Sequence, residues 1–118
     1  MKNLLLVFLI GAGAYYFWAD TGSGGEAVQP LKENAYVVVY GRDSCGYTQK
    51  MREQLSRAGI RHEYKIIDKS AVADRIHDRM RKAGIDTSRY PLPVVDVNGS
   101  IRTRPDSEWV VQQYKSGF

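Results

Sequence analysis

The only cysteine of the chain, Cys45, lies in "GRDSCGYTQK", residues 41 to 50. A cysteine can act as a nucleophile, a metal ligand or a disulfide partner, and only its thiolate form attacks. With one cysteine the chain forms no internal disulfide and no cysteine-based zinc site. Thiol–disulfide exchange usually draws on two sulfurs, yet three residues after Cys45 stands Thr48. A lone cysteine is often a small buried hydrophobe. Two features argue for reactivity here. Cys45 lies between Ser44 and Gly46, which offer little shielding bulk, and at a junction from strand to helix. On a helical wheel it sits about 120° from Met51, off the apolar face. Its sulfur is therefore expected near first-turn N–H groups, whose partial positive charge favours thiolate. Arg42, three residues earlier, is a candidate second source of positive charge.

The elements that position Cys45 follow from periodicity. "YVVVY" (Tyr36 to Tyr40) is an unbroken β-branched and aromatic run, expected as a strand buried on both faces. From Cys45 to Ala58 a helix is expected, with Met51, Leu55 and Ala58 inward and Gly59 ending it. "HEYKIID" (His62 to Asp68) is the next strand. Ser70 is the expected N-cap of a helix reaching Ala83, with Val72, Ile76, Met80 and Ala83 inward. The basic last turn, Arg79, Arg81 and Lys82, suits the negative end of that helix. Val94 to Val97, the turn Asn98-Gly99 and Ile101 to Thr103 read as a hairpin. A final helix, opened by "PDSE", turns Trp109, Val110 and Tyr114 inward. The order is β-α-β-α-β-β-α, an α/β fold with a mixed four-stranded sheet flanked by helices.

These residues together resemble the glutaredoxins, within the thioredoxin-like fold. The resemblance covers residues 35 to 115 and rests on "VVVYGRDSCGYTQKMREQL", on "YPLPVVDVNG" and on the element order. It implies that Cys45 is the nucleophile and that Thr48 stands where dithiol members carry a resolving cysteine. Arg42 takes the place of a lysine that pairs with a glutathione carboxylate, and Tyr47 is the aromatic beside the reactive centre. Pro93 matches the cis-proline facing the cysteine. Leu92 would pair its backbone with the cysteinyl part of glutathione. Asp106 matches the acid that binds the γ-glutamyl amine. Where the family has Gly-Gly after the hairpin, this chain reads "RTRPD", so Arg102 and Arg104 are further candidates for a carboxylate or an acidic partner.

The activity implied is glutathione-dependent thiol–disulfide exchange by a monothiol route, with glutathione as co-substrate and glutathionylated or thiol proteins as partners. Thr48 then either hydrogen-bonds the thiolate or is an ordinary first-turn residue. Two alternatives stay open. One is a catalytically weak binding or redox-sensing module. The other is an iron–sulfur cluster shared by two protomers through Cys45 and glutathione. The expectation is a monomer with no resident metal.

At 118 residues, with 25% charged and 43% hydrophobic, the chain is sized and composed for one folded domain. The net charge of +4 is spread among acids, and no concentrated basic face suggests nucleic-acid binding. His62 and His77 lie apart, without a ligand cluster. The organisation read from the sequence is an N-terminal segment over residues 1–20, a flexible linker over 21–34 and the glutaredoxin-like domain over 35–118. In the first segment Leu4 to Ala19 is uncharged, about 24 Å long as a helix, and ends in the aromatic cluster Tyr15 to Trp18. It reads as an apolar helix anchoring the chain in a membrane. A cleaved signal peptide, cut near Ala12 to Ala14, is the competing reading. Lys2 before the segment, with Asp20 and Glu26 after it, would leave the domain facing outward, in the periplasm of a bacterium. Cleavage would make it secreted.

Overall fold

The structure, a computed structural model, describes residues 27–117. The expectations for the apolar segment fall on residues 1–26, outside the described residues. Among the described residues no helix is long and apolar enough to cross a membrane.

The chain runs β1 (Val37–Gly41), α1 (Gly46–Arg57), β2 (Glu63–Ile66), α2 (Ser70–Lys82), β3 (Val94–Val97), β4 (Ser100–Thr103) and α3 (Ser107–Ser116). The sheet order is β2-β1-β3-β4, with β1 parallel to β2, and β3 antiparallel to both β1 and β4. Alternation along the strands sends side chains to two cores. Tyr36, Val38 and Tyr40 pack with Ile76 and Met80 of α2 on one face. Val37 and Val39 pack with Met51 and Leu55 of α1 and Val110 of α3 on the other. Covering both faces buries all of β1, which is why its sequence is an unbroken apolar run.

Several boundaries differ from the expectation. β1 is Val37–Gly41 rather than Tyr36 to Tyr40, β2 is Glu63–Ile66 rather than His62 to Asp68, and two helices change at an end. The inward stripe of α1 is Thr48, Met51 and Leu55, and Ala58 is exposed, because the helix ends at Arg57 and Ala58 is its C-cap. Ser70 is the first residue of α2, not its cap, and the cap position, Lys69, makes no side-chain hydrogen bond.

Arg79 corrects the dipole reading of the basic turn. Its guanidinium reaches the sheet, where Nη2 donates to Asp96 Oδ2 at 2.6 Å. Asp96 is fully buried in β3 and also accepts from the Tyr36 hydroxyl and the Gly99 amide. Burial pushes the Asp96 carboxyl above the usual carboxylate range, against the pull of Arg79 and the other donors. The described part of the stretch read as a linker is tied to this end of the sheet. Val28 N–H donates to Gly99 O at 2.8 Å, and Arg79 Nη1 to Gln29 O at 2.7 Å. Leu31 N–H donates to the Tyr36 hydroxyl at 3.0 Å.

Strand register then builds the opposite end. Tyr40 pairs with Val94, and Val94 with Thr103. The residues just beyond, on the loop before α1, at Pro93 and at Arg104, therefore meet at the C-terminal edge of β1.

Candidate active site

Cys45 is the N-cap of α1, half-buried, with extended backbone at φ −88° and ψ 115°. A tight turn presents it, since its N–H donates to Arg42 O at 3.1 Å. Gln49 braces the turn, its Nε2 donating to the carbonyls of Arg42 and Asp43, both at 3.3 Å. On the outer side Tyr64 of β2 donates its hydroxyl to Asp43 Oδ1 at 2.8 Å. The loop that carries the sulfur is thus held from both the helix and the sheet.

The Cys45 thiol lies below the ordinary thiol range. The Thr48 hydroxyl beneath the sulfur is the largest influence, followed by partial burial, which opposes it. The backbone N–H groups of Thr48 and Tyr47 and the charge of Arg104 add to the lowering. Thr48 is fully buried, and its hydroxyl has no hydrogen-bond partner of regular geometry. Its polarity is felt at the sulfur without a well-formed neutral hydrogen bond. Such a hydroxyl is poised to meet a negative charge there.

The other residues singled out from the sequence divide. Tyr47, Pro93 and Asp106 line one groove of about 490 Å³, together with Lys50, Arg104 and Glu108. The Leu92–Pro93 peptide bond is cis, the geometry expected at that position. Thr48 does not line the groove; it stands behind Cys45. Arg42, expected to supply charge to the sulfur, has its Nε paired with Asp68 Oδ1 at 2.8 Å on the surface. Leu92 does not line the groove, and its carbonyl already accepts from Arg104 Nε at 2.7 Å.

Arg104 is the residue of most consequence that sequence reasoning left undecided. Its backbone is left-handed, with φ 45°, a conformation that favours glycine. Its N–H donates to Pro93 O at 2.6 Å, and its guanidinium lies 3.8 Å from the centre of the Tyr47 ring. Arg102, the other candidate, stacks on Trp109 at 4.4 Å instead. The signal for Arg104 was the hairpin: with Val97 opposite Ser100, counting outward puts Arg104 opposite Pro93. Of the histidines, His77 meets the Tyr90 hydroxyl at 2.6 Å and His62 the Ile60 carbonyl at 3.0 Å. Among the described residues no group of three metal-ligating side chains is present.

No protein-family model matches the sequence, and no curated relative does. Among solved structures, the chain is similar to the glutaredoxin of Archaeoglobus fulgidus, at 24% identity and a TM-score of 0.52, over 67% of this chain and 85% of that one. It is also similar to glutaredoxin 1 of Francisella tularensis, complexed with cacodylate, at 20% identity and a TM-score of 0.44, over 57% of this chain and 79% of that one. The first of these likenesses supports the thioredoxin-like α/β fold described above. The chain has a glutaredoxin-like thioredoxin fold.

Proposed function

We propose that the protein catalyses glutathione-dependent thiol–disulfide exchange by a monothiol route. The observation that carries this reading is the setting of Cys45: a thiol shifted toward thiolate at a helix start, with the buried Thr48 hydroxyl behind it and no second cysteine. In the first step the Cys45 thiolate attacks the glutathione sulfur of a protein mixed disulfide. The protein sulfur leaves as a thiolate and takes a proton, and Cys45 holds glutathione as a disulfide. A second glutathione thiolate then attacks the glutathione sulfur of that disulfide. Cys45 returns as thiolate and oxidised glutathione leaves. Across the two steps, one glutathione thiol and the mixed disulfide become a protein thiol and oxidised glutathione, so the cycle balances with one enzyme sulfur.

The groove residues fit this substrate in part. Tyr47 and Pro93 supply apolar walls and Asp106 a carboxylate for an ammonium, while strand-like pairing of glutathione would fall to the Leu92 backbone. Arg42 is paired at an exposed position, where an ion pair contributes little, so a ligand carboxylate can displace Asp68. Thr48 cannot attack the mixed disulfide, which leaves its resolution to the second glutathione. Incubation with oxidised glutathione followed by intact mass measurement tests the intermediate. One glutathione on wild type and none on Cys45→Ser is expected; failure of wild type to form the adduct would refute the reading.

A further inference from the structure

The "RTRPD" segment keeps a glycine-like backbone at Arg104 while adding a long cationic side chain that the groove must accommodate. A non-glycine residue in the left-handed region is uncommon, and arginine gains nothing there from its own backbone. Arg104 is nevertheless held by the Leu92–Pro93 segment and by Tyr47 of α1. Its N–H meets the Pro93 carbonyl, its Nε meets the Leu92 carbonyl, and its guanidinium plane lies on Tyr47. Among the described residues no carboxylate pairs with it, although Asp106 and Glu108 line the same groove. With Nε committed to Leu92 and the plane laid on Tyr47, the two Nη groups remain as a donor edge. That edge suits a planar carboxylate.

We propose that Arg104 is a specificity-determining residue, which favours a thiol-bearing reactant with a carboxylate near its sulfur and binds that carboxylate beside Cys45 through its free guanidinium edge. The proposal rests on the reading of Cys45 as the reacting thiol. Tyr47 serves as the platform that aims the guanidinium, and Leu92 sets its rotation. Asp106 and Glu108 line the same groove and leave its acidic side to an ammonium of the reactant.

Alkylation of Cys45 in the full chain by iodoacetate and by iodoacetamide provides the test. Both reagents meet the same thiolate, so the ratio of their rates cancels any change in thiolate fraction and reports attraction for the carboxylate. At low ionic strength the ratio is expected to be about two- to fivefold higher in wild type than in Arg104→Gln, the range of an exposed charge pair. Arg104→Lys should retain part of the preference, and salt should erase it. An equal ratio in wild type and Arg104→Gln would overturn the proposal. A preserved ratio in a protein that fails to turn over glutathione mixed disulfides would sink the glutathione reading and leave the role of Arg104 standing.

Discussion

The Thr48 side chain occupies the space that a side chain at Gly41 would need. A Cβ on Gly41 would stand 2.9 Å from Thr48 Cβ and closer still to its hydroxyl. The first turn of α1 therefore leaves room at the last residue of β1 for glycine and not for a larger residue. Gly41→Ala should cost about 1–3 kcal/mol, as overpacking of a filled site does. Adding Thr48→Ala should recover part of the loss, because the two sites are coupled. Urea denaturation of the single and double variants checks this, and additive losses would show the contact to be unimportant.

Thr48→Val keeps the shape of the side chain and removes its oxygen. The Cys45 thiol should then move up toward the ordinary value of about 8.5, because the largest lowering influence is gone. Thiolate absorbance in the ultraviolet, followed against pH, reads this directly. Reactivity of the variant near neutral pH should fall with the thiolate fraction.

Folding stability should carry the same signature. A group whose folded pKa is depressed adds stability that is fully present above its unfolded pKa and is lost as pH falls through the folded value. Cys45 therefore stabilises the fold more at pH 9 than at pH 6, and Cys45→Ser should remove that increment. Denaturation midpoints at several pH values, compared between wild type and the serine variant, check the sign.

Much of this arrangement was legible in the sequence for identifiable reasons. The apolar run Tyr36 to Tyr40 requires cover on both faces, and the Asn98-Gly99 turn, with both residues at positive φ, sets the hairpin register. Three relations were not legible. The sequence leaves Thr48 between a partner of the thiolate and an ordinary first-turn residue, because its burial depends on how α1 lies against Gly41. Arg79 reads as a dipole partner because nothing local announces that it reaches Asp96 in β3. The direction of the Arg104 side chain follows from a left-handed backbone that no glycine marks. Each depends on contacts between residues distant in sequence or on a conformation unusual for the residue.

Asp96→Ala should separate stability from reactivity. It leaves Arg79 mostly buried without its carboxylate and removes the acceptor for Tyr36 and Gly99. Breaking a buried pair from one side costs about 3–5 kcal/mol. The network lies at the end of the sheet away from Cys45, so the rate of Cys45 alkylation in the folded variant should stay unchanged. Thermal unfolding and alkylation on the same sample check both halves.

The most direct test of the account is glutathione-dependent turnover of a peptide–glutathione mixed disulfide by the full chain, alongside Cys45→Ser. The account predicts steady turnover in wild type and only the uncatalysed rate in the serine variant. Equal background rates in both would contradict it, and would make the groove beside Pro93 a binding surface on a thioredoxin fold.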